Sequence, residues 1–283
     1  GGMNGLQSRV PWDAYVALPG VRVSSLKAMQ RSAKHYQDAI TNTKETAALR
    51  LGTAAHCAVL EPERFESAFA IWDRRTESGR LAPRNGKAWD AFAAEAKAAG
   101  KSVLTDAEME DAMTMQAAVR CDPVAMKYLR AGDPEVTMTW EMCGHVCKGR
   151  MDWLTYFDTD PVIVGLKTSR DCRHFQFGKQ AAQLGYHLQW SYYLDGFHTI
   201  TKRIPRVVEI VVESKPPHAV AVYRINNDVL DQGRDEYLEA LGKLQDCERT
   251  NTWPGPYDTE QELSLPSWVY QSQDDLAEIG LEA

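Results

Sequence analysis

The rhythm of apolar and polar positions changes near the middle of this chain. Residues 11–45 read as a helical leading segment, in which Ser24-Ser25 could cap a helix opening at Leu26. Ala47 to Phe65 reads as a buried helix: Gly52, Ala54 and Ala55 permit close approach of a neighbour, and Pro62 ends or bends it. Residues 72–90 are polar and rich in Gly, Pro and Arg, as in a loop. Residues 87–99 are alanine-rich and helical, and Thr105-Asp106-Ala107-Glu108 fits a capping box for a helix reaching about Val119. Alternation then takes over. Glu135–Glu141, His145–Trp153 and Val162–Lys167 read as strands, with Gly144 suited to a turn. A long helix is expected from roughly His174 to Phe197. Val207–Glu213 and Ala219–Ile225 pair naturally as a hairpin around Lys215-Pro216-Pro217. A final helix spans about Val229 to Cys247, and a Pro-rich tail follows.

Helices, then antiparallel strands, then a helix and more strands imply an α+β (mixed α/β) fold, a central mixed sheet flanked by helices. One domain over residues 1–283 is expected. Its parts are a mainly helical 11–130, a core at 131–250 and a tail at 251–283. Gly1-Gly2 ahead of Met3 reads as a cloning remnant. No internal repeat or low-complexity tract is visible.

Composition narrows the picture without deciding it. Hydrophobic residues at 44% and charged residues at 25% are ordinary for a soluble globular chain. The longest apolar runs, Val162–Leu166 and Val207–Val212, fall far short of the ~20 residues of a membrane helix. No basic stretch precedes an apolar one at the N-terminus, so a cytoplasmic protein of a bacterial cell is expected, whether host- or phage-encoded. The six cysteines then read as free thiols. Cys143, His145 and Cys147 would share one strand face; with no fourth ligand in view, strand packing accounts for them better than zinc. The net charge of −7 argues against a nucleic-acid coat protein but leaves room for a local basic footprint. Arg74, Arg75, Arg80, Arg84 and Lys87 gather in one polar stretch, either a solvated loop or a phosphate-contacting arm.

The chemistry concentrates between Arg150 and Tyr193. Asp152 sits on one expected strand, and Lys167 ends the next. Phosphodiester hydrolysis needs a divalent metal to activate water and offset charge building on phosphate. One or two carboxylates with water and phosphate can hold Mg2+. Residues two apart on a strand point the same way, so an acid at position 165 would join Lys167 at such a metal. The lysine would orient or help deprotonate water, or stabilise developing charge. The chain has Gly165 there, which supplies no ligand and which strand packing does not obviously require.

Several segments in order resemble the RecE-type (exonuclease VIII) branch of the PD-(D/E)xK nucleases, related in fold to phage lambda exonuclease and the RecB nuclease domain. They are Gly52-Thr53-Ala54-Ala55-His56-Cys57 with Leu60-Glu61-Pro62, Arg74-Arg75-Thr76, Glu135–Glu141 and Arg150-Met151-Asp152. Leu166-Lys167-Thr168-Ser169, Tyr186-His187-Leu188-Gln189 with Tyr193, and Leu263–Trp268 complete the series. The resemblance implies that His56, Asp152, the absent acid at 165 and the Leu166 backbone carbonyl bind metal. It makes Lys167, with Asp152 and Glu135, catalytic, and Gln189 and Tyr193 positioning groups on one helix face. It places DNA against Arg74, Arg75, Arg80, Thr168, Ser169 and Tyr186. It further implies Mg2+, with Mn2+ as substitute. The activity would be 5′ to 3′ digestion of linear duplex ends to single strands for recombination. The partners would be a single-strand annealing recombinase and further copies of the chain in a ring-shaped homo-oligomer, trimer or tetramer. The iron–sulfur nucleases of the same superfamily need a C-terminal cysteine cluster, and only Cys247 lies there.

Gly165 admits three explanations. It is an introduced change that disables cleavage, or a natural degenerate copy that binds DNA ends without cutting, or the acid has migrated, with Glu209 and Glu213 as candidates. The chain is expected to be impaired or inactive. On the first explanation Gly165→Asp restores cleavage.

Overall fold

The computed structural model describes residues 5–42 and 46–266. The helices are α1 (Trp12–Ala17), α2 (Val23–Met29), α3 (Ala33–Thr41), α4 (Ala47–Leu60), α5 (Phe65–Ala68), α6 (Gly86–Ala98), α7 (Asp106–Cys121), α8 (Pro123–Leu129), α9 (His174–Leu184), α10 (Tyr186–Thr201) and α11 (Asn227–Thr250). The strands are β1 (Gly5–Gln7), β2 (Phe69–Trp72), β3 (Ser102–Thr105), β4 (Asp133–Met142), β5 (His145–Phe157), β6 (Asp160–Ser169), β7 (Arg206–Glu213) and β8 (Val220–Arg224). Six strands form one sheet in the order β1-β4-β5-β6-β7-β8. All its pairs are antiparallel except β6 with β7. Parallel neighbours need a crossover, and α9 with α10 provides it. The expected mixed sheet flanked by helices is therefore present.

Alternation along β6 and β7 divides the interior. Val162, Val164 and Leu166 with Val208, Ile210 and Val212 pack against α4, α7 and α8. Val207 and Val211 pack with Trp190 and Leu194 of α10 on the other face. A further cluster joins α2, α3, α10 and α11 to β4 and β5 through Leu26, Trp140, Tyr192 and Tyr237. Lys148 anchors the N-terminal segment: its buried ammonium donates to the carbonyls of Tyr15 at 3.1 Å and Val16 at 3.0 Å, at the C-terminal end of α1. No helix among the described residues is long and apolar enough to cross a membrane.

The capping box at Thr105 is formed in full, with Glu108 closing back on the Thr105 N–H. The hairpin around Pro216-Pro217 is also present. Three expectations need correction. Ser24-Ser25 do not cap a helix: α2 begins at Val23, Arg22 stands at its N-cap without a side-chain bond, and Ser25 is buried. The helix expected over His174–Phe197 is two helices, because Gly185 takes a left-handed φ of 63° that ends α9 and redirects the chain into α10. The loop expected over residues 72–90 is shorter at both ends, since Trp72 closes β2, which pairs in parallel with β3, and α6 opens at Gly86.

Helices α10 and α11 touch backbone to backbone at Gly233. A Cβ there would overlap the His187 carbonyl and lie 2.6 Å from Ser191 Oγ. Gly242, exposed on the same helix, has no atom near the corresponding point. Two alanine substitutions nine residues apart on one helix should therefore have opposite signs. Gly233→Ala should destabilise the fold by about 1–3 kcal/mol through overpacking. Gly242→Ala should stabilise it by about 0.5–1 kcal/mol through backbone entropy. Urea unfolding followed by circular dichroism measures both.

Candidate active site

Asp152 is central. It lies on β5 across from Glu135 of β4, since Pro134 pairs with Trp153 and Val136 with Met151 on either side. Its Oδ2 accepts the Leu166 N–H at 2.9 Å, and Lys167 Nζ is 3.7 Å from the same oxygen. Its Oδ1 is 3.9 Å from His56 Nδ1, delivered by α4. Helix α4 comes close to β6 at Gly52, where a Cβ would sit 3.9 Å from Thr168 Oγ1. The Leu166 carbonyl faces the same space: His56 hydrogen-bonds to it, and Lys167 Nζ is 3.5 Å away.

Glu135 completes the group. One ligand atom each from His56, Glu135 and Asp152 lies within 4.8 Å of the others. Glu135 adopts a left-handed φ of 53°, uncommon for a residue with a side chain and of a kind that costs of order 1–3 kcal/mol. Arg150 pairs with its carboxylate. Burial, reinforced by Asp152, pushes Glu135 up to about 7 against the pull of Arg150. At Asp152 burial acts the same way, but Lys167, His56 and the Leu166 N–H outweigh it and hold the carboxyl below its ordinary range. Burial draws His56 down, partly offset by Asp152, so the neutral imidazole is favoured, the form that ligates metal. Burial would also lower Lys167, yet Glu209 and Asp152 together raise it, leaving a firm ammonium.

Gly165 supplies no ligand of its own, and the acid nearest it is Glu209, one of the two residues the sequence offers as a migrated carboxylate. Parallel pairing puts Gly165 beside Glu209, and a Cβ on Gly165 would stand 2.6 Å from Glu209 Oε2 and closer still to Oε1. With the Glu209 carboxylate in this position the space at 165 is taken, and a side chain there would have to displace it. Glu209 is 1% exposed, its Oε2 accepts the Trp190 indole N–H, and its Oε1 is 3.9 Å from Lys167 Nζ. Burial and Asp152 push Glu209 up to about 7, against Lys167, Trp190 and Lys27. Its sequence signal was a lone acid inside the apolar run Val207–Val212, since a carboxylate is rarely buried in a strand without a partner.

Gln189, Trp190 and Tyr193 of α10 line a small cavity with Asp152, Gly165, Lys167 and Glu209. The Tyr193 hydroxyl is hydrogen-bonded to the Arg150 backbone and to Gln189. Gly149 makes this fit possible, because a Cβ there would come within 2.7 Å of the Tyr193 ring. The Tyr186 ring lies between two ammoniums, Lys27 and Lys167, each 5.4 Å from its centroid. Lys27 went unnoticed in the sequence; burial and Lys167 bring it down to about 7, with Glu209 opposing.

Other expected residues stand apart. Ser169 is 5% exposed, and its hydroxyl lies within 2.8 Å of both the Asp171 carbonyl and Gln180 Oε1, with one proton to donate between them; it ties β6 to α9. Thr168 faces Gly52 of α4. In the loop after β2, Arg75 pairs with Asp106 and Arg84 with Glu108 at 2.9 Å, while Arg74 and Arg80 are exposed. Cys143, His145 and Cys147 do not converge: Cys143 is exposed in a turn, His145 bonds Glu248 at 3.0 Å, and Cys147 is buried in the core. Leu263–Pro266 form no regular structure, and Ser267-Trp268 lie outside the described residues.

The donor set suits a hard divalent cation. The carboxylates of Glu135 and Asp152 face one another, and the neutral His56 imidazole and the Leu166 carbonyl adjoin them; Glu209 stands on the far side of Lys167, outside the set whose ligand atoms fall within 4.8 Å. Such a cation would favour the ionised Glu135 carboxylate that burial, and after it Asp152, disfavours.

Comparison with curated protein sequences finds no match. Among solved structures the chain is similar to the "Putative exonuclease" of Eubacterium rectale, with a TM-score of 0.60 and 14% identity over 94% of this chain and 99% of that one, a likeness of fold. The phage related exonuclease of Haemophilus somnus 129PT covers 82% of this chain and 96% of its own at 15% identity, but with a TM-score of 0.36 it carries no argument. The family described as "PDDEXK-like domain of unknown function" (DUF3799) matches residues 22–261, a span that holds His56, Glu135, Asp152, Lys167 and Glu209, and this chain belongs to it.

Proposed function

We propose that this protein is a metal-dependent nuclease of the RecE type, digesting linear double-stranded DNA from its ends, 5′ to 3′, with Mg2+ as its metal and Mn2+ as a substitute. The observation that carries the reading is the convergence of His56, Glu135 and Asp152 within 4.8 Å, with Lys167 Nζ 3.7 Å from Asp152. Membership of a PDDEXK-like family and a fold shared with the Eubacterium rectale "Putative exonuclease" support it.

His56, Glu135, Asp152 and the Leu166 carbonyl would hold the metal. When bound, it supplies Lewis-acid polarisation of the phosphate and a more acidic water. The remaining work falls to this chain's own groups. Lys167, an ammonium fixed between Asp152 and Glu209, donates to a phosphoryl oxygen or the attacking water and opposes charge developing there. Lys27, 5.4 Å from the Tyr186 ring centroid and brought down to about 7 by burial and Lys167, can take or release a proton at the same edge. Gln189 and Tyr193 hold β5 against α10 so that Asp152 keeps its aim. The same reading assigns a ring of three or four copies and a single-strand annealing partner.

Duplex DNA labelled at either end should shorten from its 5′ termini in Mg2+, and chelation should stop the reaction. Lys167→Ala should slow it roughly 100-fold or more, the scale of a lost positioned catalytic group. Asp152→Asn should do at least as much. Ends bound but never cut by the unaltered chain would contradict the enzyme and favour a DNA-end-binding module of the same fold.

A further inference from the structure

We propose that Glu209 is the acid this site uses in place of one at position 165, a carboxylate moved one strand across the sheet, with Gly165 kept small to admit it. The proposal rests on the nuclease reading for its activity readout alone; metal affinity tests it separately.

The parallel register pairs Gly165 with Glu209, so their side-chain positions share a face on neighbouring strands about 4.8 Å apart. A carboxylate grown from β7 therefore reaches the space that a shorter acid on β6 would fill. The two compete for one space, since a Cβ at 165 would overlap the Glu209 carboxyl where it now stands.

Glu209 also carries the marks of a ligand more than of a structural acid. It is 1% exposed in a strand otherwise apolar from Val207 to Val212. Trp190 fixes one of its oxygens. The other accepts no hydrogen bond and lines the cavity shared with Asp152, Lys167, Gln189 and Tyr193. Lys167 is shared between Glu209 at 3.9 Å and Asp152 at 3.7 Å, so one ammonium serves two buried carboxylates. Glu213, the other acid on this face of β7, is excluded. It pairs with Ser169, four residues along the strand from Gly165's partner, and its Oε1 accepts the Cys172 N–H at 3.1 Å.

The test titrates Mn2+ calorimetrically into the full chain and four variants, with melting curves to confirm folding and linear-duplex cleavage in Mg2+ alongside. Glu209→Gln, near-isosteric, should weaken Mn2+ binding at least about 10-fold and cleavage by more, since even groups behind the ligands cost that much. Gly165→Asp alone should fail to improve either quantity. Gly165→Asp/Glu209→Gly, which returns an acid to β6 and clears its space, should recover Mn2+ affinity to within about 10-fold of the unaltered chain. Glu213→Gln should leave affinity unchanged. Mn2+ affinity that ignores Glu209→Gln overturns the proposal, as does an unaltered chain that binds no Mn2+ or a Gly165→Asp single variant that outperforms it. If affinity follows the carboxylate while no form cuts DNA, the relocation stands and the nuclease reading falls. If cutting persists in Glu209→Gln, the nuclease reading stands and the relocation falls.

Discussion

One ammonium between two buried carboxylates organises this protein's centre. Lys167 stands 3.7 Å from Asp152 and 3.9 Å from Glu209 at the junction of β5, β6 and β7. Burying either acid alone would cost several kcal/mol; the lysine, the Leu166 N–H and the Trp190 indole offset that cost. The surrounding elements serve this junction. The α9–α10 crossover makes β6 and β7 parallel and brings Trp190 and Gln189 over their joint, and α4 supplies His56 from its own side.

The compensation is incomplete, and the shortfall is informative. Glu135 and Glu209 are both pushed up to about 7, chiefly by burial and next by Asp152. Glu135 holds a left-handed backbone to reach its place. Strongly perturbed acids gathered around Asp152 are the pattern more often met at functional sites than at purely structural ion pairs. Lys167 opposes part of that perturbation at Glu209, and Arg150 opposes part of it at Glu135.

Much of this was legible from residue order. The capping box at Thr105–Glu108, the β7–β8 hairpin and the shared direction of Asp152 and Lys167 follow from local rules, and the structure has all three. What was illegible depended on partners remote in sequence. The sequence offers Glu209 and Glu213 alike as acids that could stand in for one at 165, because strand parity sees only its own strand; the choice between them becomes visible once the crossover fixes a parallel register that pairs Gly165 with Glu209. Gly185 inside an apolar helical pattern gave no sign that it would turn left-handed and break the helix, and Ser169 matched a motif while its hydroxyl was committed to Asp171 and Gln180. Lys27 was read as an ordinary helix residue because its role arises only where α2 meets the start of α10.

The central claim is that Glu209 and Asp152 together face a cation beside Lys167. Anomalous diffraction from crystals grown with Mn2+ tests it most directly. The account predicts a manganese peak within bonding distance of both carboxylates, with Trp190 still holding the far oxygen of Glu209. A manganese peak bonded to Asp152 and His56 while Glu209 remains turned away, or crystals with no peak at this site, would contradict it.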